Sequence, residues 1–247
     1  MLSDKIIKPE LIVVGAGPGD PELLTMKAYK ALQEADVVLY DNLINKELLQ
    51  FTRADCEKQY VGKQPYGNYT PQETILELIR EKAFSKGKVI RLKGGDPFIF
   101  GRGFEEILYA RGLGIPASYI PGITTMQTAG LEDIPLTHRN ISEGFWVMTG
   151  TKKDGSLTND LKLAIQSNAT VVIYMGMKKL SVIAETYNDV GLGNMPAVII
   201  QHATLPQKKL AKGFIKDLPS LAEQQHISHP ALIIIGRVVD IEGLMKE

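Results

Sequence analysis

Residues 91–103, with the sequence RLKGGDPFIFGRG, combine more groups able to contact a ligand than any other segment of this chain. A buried-strand pattern at residues 88–92 leads into the segment, and a predicted helix over about residues 103–110 follows it. Its four glycines let bare backbone approach a ligand and permit positive φ. Asp96 can accept hydrogen bonds from a ligand, and Arg102 can pair with a carboxylate. A plain strand-to-helix turn rarely needs this combination, which therefore favours a binding loop.

A second glycine-rich segment, GAGPGDP at residues 15–21, directly follows the first predicted strand. In a dinucleotide-binding G-x-G-x-x-G loop, the third glycine would stand where this chain has Asp20. Pro18 removes an amide that would face a pyrophosphate, and the Asp20 carboxylate would repel one. The segment therefore fits a ligand without phosphates better than it fits NAD. A tight turn between strand and helix is the alternative.

Two further predicted strands end in ionisable residues. Asp41 follows the strand at residues 37–40, and Lys63 follows the one at residues 59–61. In open α/β sheets these positions face the ligand crevice. A partly buried carboxylate at Asp41 can act as a proton acceptor, with helix capping an equally good explanation from the sequence alone. A solvated side chain is the ordinary state of a lysine such as Lys63.

The middle and second half of the chain supply further candidates. The segment IPGITT at residues 120–125 ends a predicted strand and places two threonines at a helix start. Free amides and hydroxyls there can hold a carboxylate or an adenosine, although capping by Thr124 alone explains half of the pattern. Arg139 lies in a turn-prone stretch and can pair with a ligand carboxylate or with an acid of the protein. Met175 and Ala203 each follow a predicted strand, although methionine more often fills a core.

Strand and helix patterns alternate along nearly the whole chain, which predicts α/β layering. The pattern lapses at residues 134–140, so we expect two α/β domains, an N-terminal one over residues 1–138 and a C-terminal one over residues 139–247. Asp20 is predicted to cap the first helix, and a capping box at residues 70–73 to open another. The other strands are expected at residues 11–14, 88–92, 117–120, 145–148, 170–175, 197–202 and 232–236, and the other helices at 158–167, 179–189 and 218–225.

The composition excludes several classes of protein. The chain has 247 residues and a formal net charge of +0, so it lacks the basic excess typical of a general nucleic-acid-binding protein. One cysteine, Cys56, excludes an internal disulfide, and four histidines without paired ligand spacing make a metal site unexpected. No apolar run approaches the ~18 residues that span a bilayer, and the N-terminus lacks a secretory signal pattern. We therefore expect a cytoplasmic protein that has neither nucleic-acid nor membrane partners.

Taken in order, seven segments of the chain resemble the tetrapyrrole methylase family, and they run over nearly the whole sequence. The RLKGGDPFIFGRG run is the most specific of them, whereas GAGPGD is shared more widely across the superfamily. The resemblance implies two α/β domains with S-adenosylmethionine (SAM) bound in the cleft between them. It also implies a homodimer that acts on a tetrapyrrole. The segments are residues 15–21, 39–41, 61–63, 91–106, 121–124, 134–139 and 174–176.

The activity that the resemblance implies is C-methylation of uroporphyrinogen III at C2 and C7. This reaction gives precorrin-2 through precorrin-1, for sirohaem or corrinoid synthesis. SAM donates both methyl groups and leaves as S-adenosylhomocysteine (SAH), and no metal is required because the sulfonium is already a leaving group. No additional nucleotide-binding domain is recognised in the sequence, so a stand-alone methyltransferase is expected.

The resemblance also assigns roles to individual residues. Asp41 matches the proton acceptor and Lys63 the proton donor, and Arg102 joins them as the third catalytic residue. Arg102, Glu105 and Arg139 match positions that are tied to the substrate. The implied SAM contacts are Pro18, Gly94, Gly95, Asp96, Ile99, Thr124, Thr125, Met175 and Ala203.

Two residues depart from the family pattern. Phe104 stands where the family usually has a second glycine, and Ala203 also replaces a glycine. Either side chain would narrow a ligand cavity.

Three other interpretations stay open at this point. A sister enzyme such as a later precorrin methylase, a diphthine synthase or a ribosomal-RNA ribose methylase would carry similar loops, although the neutral charge disfavours RNA. An NAD-binding oxidoreductase is disfavoured by Asp20 at the third glycine position. A non-catalytic tetrapyrrole-binding protein is disfavoured because Asp41, Lys63 and Arg102 are all retained.

Overall fold

The computed structural model describes residues 7–62 and 70–244. The chain divides into two compact units, Met1–Thr124 and Thr125–Glu247, which we call the N-unit and the C-unit. The domain boundary expected after residue 138 lies further along the chain than this division. Each unit contains one sheet and its own helices, so the predicted α/β class is confirmed.

The N-unit is built on a five-stranded sheet in which every strand pair is parallel, in the order β3-β2-β4-β1-β5. Short 3-10 helices lie at Pro21–Leu23 and Lys46–Phe51. The main elements are β1 (Glu10–Gly15), α1 (Met26–Gln33), β2 (Val37–Tyr40), β3 (Glu57–Tyr60), α2 (Gln72–Lys86), β4 (Lys88–Lys93), α3 (Gly103–Gly112) and β5 (Ala117–Ile120).

Helices cover both faces of this sheet, which explains why its central strands are apolar almost throughout. One buried cluster joins Val38 and Ile90 to α1 on what we call the α1 face. The other joins Leu39 and Val89 to α2 and α3 on the α2/α3 face. Odd-numbered residues of β2 and β4 therefore point towards α2 and α3.

The neighbouring strands β1 and β4 send their following helices to opposite faces. The chain leaves β1 for α1 on one face and leaves β4 for α3 on the other. In open α/β sheets, this topological switch point opens a crevice beyond the carboxyl ends of the two strands. The loop after β1 and the loop after β4 are the two glycine-rich segments singled out in the sequence.

Three glycines at this edge allow the loops after β1, β4 and β5 to meet backbone to backbone. A Cβ added to Gly15 would lie 2.7 Å from the Gly95 carbonyl oxygen and 2.5 Å from the Gly122 Cα. A Cβ added to Gly122 would collide with the same Gly95 oxygen. Gly17 and Gly95 also exchange backbone hydrogen bonds of 3.2 and 2.7 Å. No larger residue fits at Gly15 or Gly122 without moving a strand.

The C-unit contains a mixed sheet in the order β6-β7-β10-β8-β9. The pair of β6 and β7 is parallel, and the other three pairs are antiparallel. Short 3-10 helices lie at Thr125–Glu132, Met177–Lys179, Ile215–Asp217 and Arg237–Asp240. The main elements are β6 (Phe145–Thr149), α4 (Asp160–Ala164), β7 (Thr170–Tyr174), α5 (Leu180–Asp189), β8 (Pro196–Gln201), β9 (Lys209–Phe214), α6 (Leu218–Gln224), β10 (Ala231–Ile235) and α7 (Ile241–Leu244).

The carboxyl ends of β6, β7 and β8 lie at one edge of this sheet, because β10 runs antiparallel to both β7 and β8. Met175 follows β7 and His202 follows β8, and both adopt positive φ, at 54° and 52°. Non-glycine residues in this region are uncommon, and strained residues of this kind cluster at functional sites. The edge therefore gathers Met175 and the segment that contains Ala203.

The strands predicted from the sequence are present to within about two residues at each end, and one strand was missed. That strand, β9, has the sequence KLAKGF and pairs only with β8 at the edge of the sheet. Its outward side chains are lysines, as is usual for edge strands that resist aggregation. Because β9 has no run of apolar residues, its sequence does not predict a strand.

Two predicted helix starts were wrong in detail. Asp20 caps only the 3-10 turn Pro21–Leu23, and α1 begins at Met26, where the Thr25 hydroxyl accepts from the Ala28 amide at 3.2 Å. The capping box expected at residues 70–73 does not form, because α2 begins at Gln72 with no side-chain cap. Proline misled the prediction in both cases. It is favoured at the first position of a helix, but it also occurs in the extended or turn segment that precedes one.

Within residues 7–62 and 70–244, no helix has both the length and the apolar character needed to cross a membrane.

We predict that Gly15→Ala destabilises the N-unit by more than ~2 kcal/mol, because the new methyl group overlaps the backbone at Gly95 and Gly122. Gly112→Ala is the matched control, since a Cβ there meets nothing within 4 Å and alanine is the better helix former. Urea unfolding of the two variants measures the difference. A Gly15→Ala variant as stable as the control would contradict the close approach of the three loops.

Candidate active site

The carboxylate of Asp96 ties together the loops after β4 and β5. Its Oδ1 accepts from the Phe98 amide at 2.8 Å, and its Oδ2 accepts from the Gly122 amide at 3.1 Å and from the Tyr119 hydroxyl. Asp96 is buried, with 9% of its surface exposed. Three protein donors therefore use the side chain, which fixes the backbone of residues 94–96 at the switch-point crevice. Its predicted contact with SAM stays a prediction.

Aromatic rings extend outward from Tyr119. Phe98 stacks on Tyr119 with ring centroids 3.9 Å apart, and Phe104 meets Phe98 edge to face at 5.8 Å. Burial and the hydrogen bond to Asp96 raise the pKa of Tyr119, so its hydroxyl keeps the proton that it donates. Phe98 and Phe104 remain about half exposed. The unusual Phe104 thus completes an apolar surface that a glycine at this position could not form.

Asp41 lies at the carboxyl end of β2, beside the end of β4. Its Oδ1 accepts from Arg91 Nη2 at 2.5 Å, and its Oδ2 lies 3.4 Å from Lys93 Nζ. The Asp41 side chain is 25% exposed, whereas the two cations are almost fully buried. The Asp41 carboxylate therefore lies partly exposed at the sheet edge, and the buried side chains of Arg91 and Lys93 hold it in position.

The cations beneath Asp41 belong to a buried charge network, formed by Arg91, Lys93, Glu106 and Asp41. Glu106 Oε1 accepts from Arg91 Nε at 3.2 Å, and it lies 3.4 Å from Lys93 Nζ. The side-chain amide of Gln72 also donates to Glu106 Oε1, at 3.2 Å. The network holds two cations and two anions, so it satisfies the requirement that buried charges be paired. Among the described residues, Glu106 Oε2 has no hydrogen-bond partner.

Arg102 and Glu105, both predicted to contact the substrate, are paired with each other at the start of α3. Arg102 Nε lies 3.0 and 3.1 Å from the two Glu105 oxygens, and Nη2 lies 2.5 Å from Oε2. Both side chains are about half exposed. Arg102 adopts positive φ of 58°, which points to a backbone held by its surroundings. A carboxylate of a ligand would meet Arg102 together with its acidic neighbour.

The remaining predicted residues of the N-unit lie along the switch-point crevice. Pro18 stands between two glycines of positive φ in the loop after β1. Gly94 and Gly95 follow β4, the amide of Ile99 closes the next turn on the Asp96 carbonyl at 3.2 Å, and Thr124 is buried after β5. The structure therefore brings most of the predicted SAM contacts to one edge. Lys63, the predicted proton donor, lies outside the described residues.

In the C-unit, Tyr174 links two predicted contact residues. Its hydroxyl accepts from the Met126 amide at 2.9 Å, which places Thr125 beside the carboxyl end of β7. The next residue, Met175, is exposed by 54% and so does not fill a core. Ala203, in contrast, is buried in the apolar cluster of the C-unit.

Arg139, the third predicted substrate contact, lies in an exposed turn of the C-unit. The turn is closed by two backbone hydrogen bonds of 2.9 Å between His138 and Ser142. The His138 ring nitrogen Nδ1 lies 2.9 Å from the Arg139 carbonyl oxygen. Arg139 forms no ion pair with any residue in the ranges that the structure covers.

Sequence reasoning missed the residues that support the predicted site. Lys93 contacts Asp41 and is itself paired with Glu106, and the Tyr119 hydroxyl donates to Asp96. A signal for Glu106 was present, since it shares the helical spacing of the buried positions 103, 107 and 110 of α3. A charged residue on the buried face of a helix requires a partner of opposite charge. Two odd-numbered residues of β4, Arg91 and Lys93, are such partners for Glu106.

These features suit the methyl donor implied by the sequence. Bare glycine backbone after β1 and β4 permits close approach of a ligand, and Ile99 is an exposed apolar side chain in the same loop as Gly94 and Gly95. Over the described part of the chain, no group of three or more histidine, cysteine or acidic side chains is arranged to hold a metal ion.

Comparisons with known proteins identify the family. A family model described as Tetrapyrrole (Corrin/Porphyrin) Methylases matches residues 10–219. A siroheme synthase of Nitrosospira multiformis is 42% identical over 241 residues, covering 97% of this chain and 51% of that protein. A siroheme synthase of Pseudomonas paraeruginosa is 43% identical over 234 residues, covering 94% and 50%. The chain thus spans about half the length of the curated relatives it matches.

Solved structures show the same fold. A uroporphyrin-III C-methyltransferase from Thermus thermophilus, complexed with SAH, aligns with a TM-score of 0.80 and 37% identity, over 94% of this chain and 99% of that one. A cobalt precorrin-4 methyltransferase aligns with a TM-score of 0.82 and 25% identity, over 94% and 96%. With the family model, the two relatives and these structures in agreement across both units, the chain belongs to the tetrapyrrole (corrin/porphyrin) methylase family.

Proposed function

We propose that this chain is a SAM-dependent methyltransferase that methylates uroporphyrinogen III at C2 and C7, giving precorrin-2 through precorrin-1. The observation that carries the proposal is the likeness to the uroporphyrin-III C-methyltransferase of T. thermophilus, which extends over nearly all of both chains. The siroheme synthase relatives support a product used for sirohaem. The expected homodimer and cytoplasmic location are part of the proposal.

The donor is proposed to bind along the glycine edge of the N-unit, with further contacts from the C-unit. When bound, SAM supplies the methyl group and leaves as SAH. The rigid backbone of residues 94–96, held by the Asp96 carboxylate, fixes the position of the bound donor. Alignment of two reactants in this way can lower a barrier by up to about 7–11 kcal/mol. The Ile99, Thr124, Thr125, Met175 and Ala203 contacts complete the proposed donor site.

The acidic side arms of the substrate require local cations, because the chain has a formal net charge of +0. Arg102, Arg139 and Lys63 are the proposed partners, and Glu105 orients Arg102. One charge-assisted hydrogen bond contributes about 1.5–3 kcal/mol. The aromatic surface of Phe98 and Phe104 lies next to Arg102 in the chain and offers an apolar contact for the macrocycle.

Asp41 is the proposed proton acceptor. After the methyl group bonds to a pyrrole carbon, the macrocycle must lose a proton, which requires a carboxylate that is both ionised and accessible. Asp41 is partly exposed at the sheet edge, and its carboxylate is held by Arg91 and Lys93. Arg102 is a poor base, since arginine stays protonated in proteins. Lys63 is the proposed proton donor by its match to the family.

We predict that anaerobic incubation of the chain with SAM and uroporphyrinogen III adds two methyl groups to the macrocycle, counted by mass spectrometry. Each methyl should be accompanied by one SAH. No methyl transfer to this substrate, combined with transfer to a later precorrin, would replace the proposal with the sister-enzyme alternative.

We predict that Asp41→Asn lowers kcat by at least about 100-fold while the affinity for SAH changes less than about twofold, because asparagine keeps the shape but cannot take up the proton. Titration calorimetry with SAH and the rate of methyl transfer provide the two readouts. Asp55→Asn is the matched control, since Asp55 precedes the amino end of β3 and is 74% exposed. Near-normal turnover by Asp41→Asn would remove Asp41 from the mechanism.

A further inference from the structure

We propose that Lys93 is a positioning residue for the reaction, which acts by holding the Asp41 carboxylate in place from within the buried charge network. This inference rests on the proposed role of Asp41 as the proton acceptor. Neither Lys93 nor its partner Glu106 was among the residues predicted from the sequence or matched to a family role.

The geometry makes Lys93 the bridge between the protein interior and Asp41. Its Nζ lies 3.4 Å from Asp41 Oδ2 and 3.4 Å from Glu106 Oε1. The Lys93 side chain is 8% exposed and Glu106 is fully buried. The Lys93 ammonium group therefore lies between the buried carboxylate of Glu106 and the partly exposed carboxylate of Asp41.

Strand register places the two residues side by side. β2 and β4 are parallel, with Tyr40 opposite Leu92. The next residues along the two strands are Asp41 and Lys93, which share the α2/α3 face of the sheet. Glu106 reaches the same face from the buried side of α3. The backbone thus fixes all three charged groups, so the Asp41 carboxylate has little freedom to turn away.

Arg91 and Lys93 contact different oxygens of the Asp41 carboxylate. Its guanidinium binds Oδ1 of Asp41 and Oε1 of Glu106, and it also donates to the carbonyls of Leu39 and Leu92 at 3.3 Å. Arg91 is thereby committed to holding the strands together. Among the residues that the structure describes, the Lys93 ammonium group contacts no backbone carbonyl, and it holds the other oxygen of Asp41.

The position of the network favours a functional role over a purely structural one. A buried ion network can often be replaced by well-packed apolar side chains without loss of stability, so stability alone does not explain it. Below these charges the central strands β2 and β4 present Val37, Leu39 and Val89 to the α2/α3 face. Within the described parts of these two strands, the charged groups on this face lie in the last three residues of β4, beneath Asp41.

A double-mutant cycle tests the proposal. Lys93→Met should lower kcat at least tenfold with little change in the affinity for SAH, and Lys93→Arg should restore most of the loss. In the Asp41→Asn background, Lys93→Met should change kcat by less than about twofold, because residues that act through one group are not additive. Lys88→Met is the matched control in the same strand, where Lys88 pairs with Glu34 at 2.7 Å and no change in kcat is expected.

Two further measurements keep the test decisive. If Lys93→Met does not fold, Lys93→Met combined with Glu106→Gln removes one cation and one anion together and keeps the network balanced; the same loss in kcat is expected. Crystal structures supply a readout apart from turnover: the Asp41 carboxylate should shift in the methionine variant and stay in place in the arginine variant.

Separate outcomes distinguish the two proposals. If Asp41→Asn keeps normal turnover, the proposed role of Asp41 fails and the role of Lys93 fails with it. If Asp41→Asn loses turnover but Lys93→Met lowers kcat by the same factor with Asp41 or Asn at position 41, Asp41 stands as proton acceptor and the positioning role of Lys93 is overturned.

Discussion

The N-unit depends on the contact of three backbone segments at the carboxyl edge of its sheet. The loops after β1, β4 and β5 meet at Gly15, Gly95 and Gly122, and no side chain fits at Gly15 or Gly122. The Asp96 carboxylate locks the arrangement by accepting from the loops after β4 and β5. Because these amides are held by a buried acid, the edge is rigid before any ligand binds, and such preorganisation reduces the cost of binding.

A second constraint acts on the α2/α3 face of the same sheet. There the apolar core gives way to paired charges just below the strand ends, and Asp41 is the member of that network that solvent can reach. The same alternation of side chains that buries Leu39 and Val89 brings Asp41 and Lys93 together. The sheet therefore supplies both a rigid backbone edge and an oriented carboxylate.

Local patterns in the sequence were sufficient for most of the fold, because nearly every strand is an apolar run that ends at glycine, proline or a charged residue. They failed for β9, whose partner β8 determines its conformation, and for the starts of α1 and α2, where proline marks a boundary without saying which side is helical. The glycine loops and Asp41 were also predictable, since their residue types are unusual at strand ends. The roles of Lys93, Glu106 and Tyr119 could not be predicted from local patterns. These residues contact partners that lie 13 to 52 residues away in the sequence, and the longest separation is that between Lys93 and Asp41.

The glycine edge of β1, β4 and β5 is the proposed binding site of the methyl donor. A crystal structure of the chain with SAH tests this directly. SAH is expected against the backbone of residues 94–96, with Asp96 still hydrogen-bonded to Gly122 and no metal ion at the site. An SAH molecule bound elsewhere on the chain, with residues 94–96 untouched, would contradict it.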